Sequence, residues 1–215
     1  DCTIENGEIF FVVAKGGTYT ITDRTPVAPV TPVAPSKPAD KPDETKPTEM
    51  TYPDVQPTDW YYEAVEAVTE KGLMSGTDNG FEPNLATSRA MIWTVLARMD
   101  GKTVSGSGSE WYAAAQSWAS ENGVSDGSDP NGRITREQFA AMLYRYALRQ
   151  GRAGADAAAN FAGFADVESV SDWARDAMRW AVSSGIINGI DGRLCPQGEA
   201  TRAQIATMLQ RYLEK

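Results

Sequence analysis

Gly185-Ile186-Ile187-Asn188-Gly189 decides how this chain is read, because its frame recurs as Gly72-Leu73-Met74-Ser75-Gly76 and Gly123-Val124-Ser125-Asp126-Gly127. Working outward, a tryptophan stands 12 residues before each first glycine, at Trp60, Trp111 and Trp173. A hydroxyl residue and an arginine follow, as Ser88-Arg89, Thr135-Arg136 and Thr201-Arg202. The interval from first glycine to arginine is 17 residues in the outer copies and 13 in the middle one. Landmarks at fixed offsets, three times over, mark an internal repeat.

Each copy predicts two helices. Before the first glycine, apolar residues recur at helical spacing: Trp60, Ala64, Ala67, Val68; Trp111, Ala115, Trp118, Ala119; Trp173, Ala177, Trp180, Ala181. Thr58-Asp59, Ser109-Glu110 and Ser171-Asp172 offer a capping hydroxyl and an acid for the helix start expected there. Gly72, Gly123 and Gly185 stand where a left-handed residue closes a helix. After the arginine, Met91, Ile92, Val95 and Leu96 open a second apolar stripe, matched by Phe139, Met142, Leu143 and Tyr146 and by Ile205, Met208, Leu209 and Tyr212. Thr135-x-x-Gln138 and Thr201-x-x-Gln204 spell capping boxes, and Met91 leaves the first copy without one. Phe81 and Leu194, each two residues before a proline, are expected to plug a connecting loop that the middle copy lacks. One helix-loop-helix copy cannot bury its stripes; three packed around a shared axis can. The expected fold class is mainly α.

The second helices carry a candidate chemistry. An arginine opens each of them, where the macrodipole opposes a cation by roughly 0.3–1 kcal/mol. Free N–H groups, a positive dipole end and a guanidinium together form a carboxylate or phosphate receptor at Arg89, Arg136 and Arg202. The competing reading makes each arginine an internal pin, with Asp54 of Tyr52-x-Asp54-Val55 and Asp166 of Phe164-x-Asp166-Val167 as partners. Trp60, Trp111 and Trp173 are either sugar-stacking platforms or ordinary core indoles. Trp118 and Trp180 read as core. Gly76, Gly127 and Gly189 turn the chain or let backbone approach a ligand. Asp126 and Asp129 lie in a loop without the closing glutamate of a calcium site, and read as a solvated turn.

Composition narrows the classes further. The 215 residues carry a formal charge of −9, no histidine and two cysteines, Cys2 and Cys195. That charge argues against nucleic acid or an anionic lipid surface as a general partner. The missing histidine removes the commonest metal ligand and general base, so no catalytic residue, metal site or cofactor is expected. Cys195 is expected to be a free thiol. No apolar run reaches the roughly 18 residues of a membrane span. The chain starts at Asp1 with neither initiator Met nor signal peptide, which reads as a fragment or processed product. Residues 1–23 read as a β-hairpin ending an upstream domain. Seven prolines from Pro26 to Pro47 make residues 24–51 an extended linker. The repeats then run 52–103, 104–160 and 161–215.

Phe164-Ala165-Asp166-Val167, Asp172-Trp173, Gly185-Ile186-Ile187-Asn188-Gly189 and Thr201-Arg202-Ala203 together resemble the S-layer homology domain. Ile134-Thr135-Arg136-Glu137 is similar to that family's most diagnostic string. The resemblance spans residues 52–215. It implies a pseudo-threefold bundle of three repeats in an exported, extracellular protein held on a bacterial cell wall. Grooves between repeats in that family bind a secondary cell-wall polysaccharide, often through the carboxylate of a pyruvate ketal. Carried over by motif, the binding residues are Arg89, Arg136 and Arg202, with backbone near Gly76, Gly127 and Gly189. Asp54, Asp166, Trp60, Trp111 and Trp173 would stand around the pocket. The alternative is a structural module contacting peptidoglycan or a neighbouring surface protein. An enzyme is not expected here; a catalytic domain would lie upstream. The middle copy has Val104 to Ser109 in place of Phe-x-Asp-Val, so repeat three ranks first as a site and repeat two last.

Overall fold

The computed structural model describes residues 2–5, 8–13, 17–20, 52–104, 106, 108–153 and 163–215. The chain divides into two compact units, Asp1–Lys46 and Pro47–Lys215. In the first, β1 (Cys2–Glu5), β2 (Glu8–Val13) and β3 (Gly17–Thr20) form an antiparallel sheet of order β1-β2-β3. The expected hairpin is β2 and β3, with Phe11 opposite Tyr19. The sheet gains a strand over that expectation, because Thr3 and Ile4 are themselves β-branched and pair with Phe10 and Ile9. The proline-rich linker lies outside the described residues.

The second unit is mainly α, as expected. Its helices are α1 (Tyr62–Glu70), α2 (Arg89–Met99), α3 (Ala113–Glu121), α4 (Arg136–Arg149), α5 (Arg175–Ser183) and α6 (Arg202–Leu213). The second helix of each repeat starts where the sequence places it. Ser88, Thr135 and Thr201 are extended N-cap residues whose hydroxyls accept the N–H of Met91, Gln138 and Gln204, and both capping boxes close. The first helices do not start as expected. They begin at Tyr62, Ala113 and Arg175, with no side-chain cap. Short 3-10 turns at Gly108–Glu110 and Asp172–Ala174 take up the residues read as caps. Asp59 instead accepts the Gln56 N–H at 2.7 Å, and the Ser171 hydroxyl donates to Glu137 Oε1 at 2.8 Å. Trp60, Trp111 and Trp173 therefore precede the helical stripe rather than belong to it.

The helix ends are legible to the residue. Gly185 has φ +66°, the Ile186 N–H reaches the Ala181 carbonyl at 2.8 Å, and Gly185 bonds Val182 at 2.9 Å. This pair of bonds is the Schellman closure that a left-handed glycine permits, and it repeats at Gly72 and Gly123.

Packing runs around the unit. α3 lies on α2, α5 lies on α4, and α1 closes against α6. Each first helix thus covers the second helix of the preceding repeat, and the first repeat covers the last. Val68, Trp93, Leu96, Leu143, Met178 and Leu209 form part of the shared core. Phe81 and Leu194 are fully buried plugs, and Trp118 and Trp180 are core, as expected. Where the repeats meet, three backbone bonds close a ring. Thr87 donates its N–H to Ala200 at 3.0 Å, Ala200 to Ile134 at 2.9 Å, and Ile134 to Thr87 at 2.9 Å. Every bond in that ring joins two repeats, so none can form within one copy.

The middle copy does keep a version of the connecting loop, contrary to expectation. Asp129 has φ +50°, matching Glu82 at +57° and Cys195 at +50°, and each precedes a proline. The carbonyls of Pro130, Pro196 and Pro83 accept the N–H of Ala90, Glu137 and Ala203. The loop is four residues shorter, but its left-handed residue and proline survive, and only the buried plug is lost to Ser128.

Candidate functional site

The candidate arginines open α2, α4 and α6, and the helix starts they stand on are already occupied. The N–H groups of Arg89, Arg136 and Arg202 donate to the carbonyls of Gly132, Gly198 and Leu85, on the loop of the neighbouring repeat. The expectation of free helix N–H donors is therefore wrong: inter-repeat loop carbonyls satisfy them. The same loops offset the clash between cation and dipole. Nε of Arg89 donates to Ser128 O at 2.8 Å, Nε of Arg136 to Leu194 O at 2.8 Å, and Nε of Arg202 to Phe81 O at 2.6 Å.

What separates the three is the outer end of each guanidinium. Arg202 Nη2 donates to Ser75 O at 2.8 Å, and the group stacks 4.5 Å from the Phe81 ring centroid. Arg89 Nη2 pairs with Asp126 Oδ1 at 2.7 Å and reaches the Ser125 hydroxyl at 3.2 Å. Among the described residues, the outer end of Arg136 has only a 3.5 Å contact, from Nη1 to Gln204 Oε1. Arg136 and Arg202 are 5% and 8% exposed. Burial pushes both guanidinium pKa values down, and Arg211 pushes Arg136 in the same direction.

Asp54 and Asp166 do not pair with these arginines. Each carboxylate clamps the loop of its own repeat. Asp54 accepts the N–H of Phe81 at 2.8 Å and of Glu82 at 2.6 Å; Asp166 accepts those of Leu194 at 2.7 Å and Cys195 at 2.8 Å. Burial opposes ionisation of Asp166, but the Leu194 and Cys195 N–H groups and Arg193 outweigh it and hold its carboxyl below the usual carboxylate range. The middle copy lacks this aspartate, and Asp126 fills part of the role by accepting the Ser128 N–H at 3.0 Å. The Ser128 N–H and hydroxyl, with Arg89 and Ser125 adding to them, hold the Asp126 carboxyl low against its burial.

Two pockets gather the remaining candidates, and each is assembled from all three repeats. The larger, about 390 Å³, is lined by Arg136 of repeat two, the Ile186–Asp191 loop and Arg211 of repeat three, and Trp60 of repeat one. The smaller, about 150 Å³, is lined by Arg202 of repeat three, the Leu73–Ser75 loop and Arg98 of repeat one, and Trp111 of repeat two. The rule is the same in both: arginine from the preceding repeat, loop and second helix from the central one, tryptophan from the following one. The pocket built on repeat three takes its arginine from repeat two, so each pocket draws on all three repeats and not on one alone.

Trp60 is 66% exposed and Trp173 56%, so the core reading fails for both, while Trp111 is half-buried. Gly189 lines the larger pocket, but a Cβ on it would strike the Phe164 ring. Gly76 is likewise held against Tyr52, donating its N–H to the phenol oxygen at 2.9 Å. Gly127 packs instead on Ser120 and Gln116, and Gln116 Nε2 donates to its carbonyl at 2.7 Å. These glycines primarily seat aromatic or polar side chains against the loop.

The second-helix arginines Arg98, Arg145 and Arg211 were missed. Each follows the first arginine by nine residues, a constant offset that was readable. Each donates Nη1 to the loop residue after the first glycine: Arg98 to Leu73 O at 2.9 Å, Arg145 to Val124 O at 3.3 Å, Arg211 to Ile186 O at 3.2 Å. Arg98 and Arg211 bring a second guanidinium to the two pockets. In the larger pocket Asp166 already offsets part of the Arg211 charge felt by Arg136, and Asp191 lines the same cavity, so an incoming anion would balance the remainder.

The family model of the S-layer homology domain matches residues 51–90 and 163–206, which fall on the first and third repeats. An amylopullulanase of Thermoanaerobacterium thermosulfurigenes is 31% identical over 186 residues, 78% of this chain and 10% of that protein. Exoglucanase XynX of Acetivibrio thermocellus is 28% identical over 185 residues, 77% of this chain and 16% of that protein. S-layer protein sap of Bacillus anthracis is 29% identical over 173 residues, 74% of this chain and 21% of that protein. The chain thus spans a fifth or less of the length of most of these relatives. With the glycine frames, the Thr-Arg helix starts and the matched segments together, the chain belongs to the S-layer homology domain family.

Proposed function

We propose that residues 52–215 anchor an exported protein non-covalently on a bacterial cell wall. The ligand is an anionic group of a secondary cell-wall polysaccharide, held in the cavity between Arg136 and Arg211. The observation that carries this reading is the outer end of Arg136. Leu194 O holds its Nε, but among the described residues its outer nitrogens have one long contact, and it lines a cavity that already holds a second arginine. A carboxylate such as that of a pyruvate ketal matches the fork of a guanidinium and would relieve the repulsion between the two. Trp60, exposed at the rim, offers an apolar face with a polar edge for the attached sugar. The pocket around Arg202, Arg98 and Trp111 is a smaller version of the same receptor.

Family membership places the chain at the cell surface, and the relatives include both S-layer proteins and polysaccharide-degrading enzymes. No helix among the described residues is long and apolar enough to cross a membrane. Arg136→Ala should lower affinity for polymer-bearing walls by roughly tenfold or more, the loss of one charge-assisted bond. Its unfolding midpoint should fall less than that of Arg202→Ala, because one loop carbonyl, Leu194 O, loses its partner instead of two. Equal binding of the variant and the original chain would overturn the assignment. Undiminished binding to walls stripped of secondary polymer would favour peptidoglycan as the partner.

A further inference from the structure

The fourth position of the glycine frame is not the same residue in the three copies. Ser75 and Asn188 are neutral, and both stand beside arginine-lined pockets. Asp126 is charged. Its Oδ1 lies 2.7 Å from Arg89 Nη2, and its Oδ2 accepts the Ser128 hydroxyl at 2.8 Å. Arg89 is the counterpart of Arg136 and Arg202, and Arg145, the counterpart of Arg211 and Arg98, holds the same loop. The parts of a third receptor are therefore present, with a carboxylate of the chain itself against its first arginine.

We propose that Asp126 is a built-in occupant of the third receptor, its carboxylate standing where the ligand's anion would bind, so that the chain takes anionic ligands at two pockets and not three. The inference rests on the proposed function above. Stability explains the pair only in part: the Arg89 side chain is 14% exposed but that of Asp126 is 68%, and an ion pair with one partner open to water contributes modestly to folding. The bond that shapes the loop is the one from the Ser128 N–H, and an uncharged amide oxygen would accept it equally well. Occupancy is explained better. A tethered carboxylate competes at an effective concentration on the order of millimolar, enough to exclude a weakly bound free anion.

The test is a calorimetric titration of the full chain with a pyruvate-ketal-bearing monosaccharide, read as the number of sites per chain. Asp126→Asn keeps the loop acceptor and removes the charge, and should add one site. Adding Arg89→Ala to that variant should remove the new site and leave the others. Asp126→Ser, which copies Ser75, repeats the experiment should the amide variant fail to fold. An unchanged number of sites in a chain that binds the sugar overturns the inference alone. A chain that does not bind the sugar in any form overturns the Arg136 reading, and this inference with it.

Discussion

Three arginines at equivalent positions have different surroundings, and the difference dictates what each substitution does. Arg202 supplies bonds to Phe81 O and Ser75 O and covers the Phe81 ring. Arg202→Ala leaves two loop carbonyls unpaired, so the chain should lose roughly 1–3 kcal/mol of stability, visible as a lower unfolding midpoint. Arg136→Ala gives up one such bond and should cost less stability but more binding. The sequence showed that an arginine stood at each helix start and that this was unfavourable. It did not show that the loop of the next repeat supplies the compensating carbonyls, since those lie 39 to 121 residues away. The clamp at Asp166 gives a test in pH. Its folded carboxyl sits below the ordinary value of about 3.9, so its contribution is fully present above that pH and is lost as pH falls through the folded value. Asp166→Asn should lower the midpoint at pH 7, and the gap to the original chain should narrow in melts below about pH 4.

Helix termini divide into those that local chemistry fixes and those that tertiary contacts fix. The starts of α4 and α6 and the glycine ends were legible because a cap needs only residues within a turn of it. The starts of α1, α3 and α5 were misread by a few residues. Their acid and hydroxyl residues are engaged in turns or with other elements, as Ser171 is with Glu137. The same error put Trp60, Trp111 and Trp173 on the apolar stripe, which lent weight to a core reading; Trp60 and Trp173 are exposed and Trp111 is half-buried. Two substitutions measure the local part. Thr201→Ala removes the hydroxyl that caps α6 and should cost about 1 kcal/mol. Gly185→Ala forces a Cβ into φ +66° with no side chain closer than 4.0 Å, so its cost is conformational, roughly 1–2 kcal/mol. Each should lower the unfolding midpoint by a few degrees, about 2–4 °C per kcal/mol in a chain of this size.

At the scale of the molecule, the ring of Thr87, Ala200 and Ile134 makes the three repeats one cooperative object. A chain starting at Met50 should therefore melt in a single transition within about 2 °C of the full chain, a shift worth roughly half a kcal/mol. A midpoint many degrees lower would mean that residues 1–49 carry stability. The ring also sets an order in time. Arg89 and Ser128 are 39 residues apart and Arg136 and Leu194 are 58, but the seam of Arg202 and Phe81 spans 121. Contacts that close long stretches of chain form late. Hydrogen exchange during refolding should protect α2 and α3 before α1 and α6. A chain stopped short of Arg202 would hold two seams and never the third, so the clock of its maturation runs until the last helix is made.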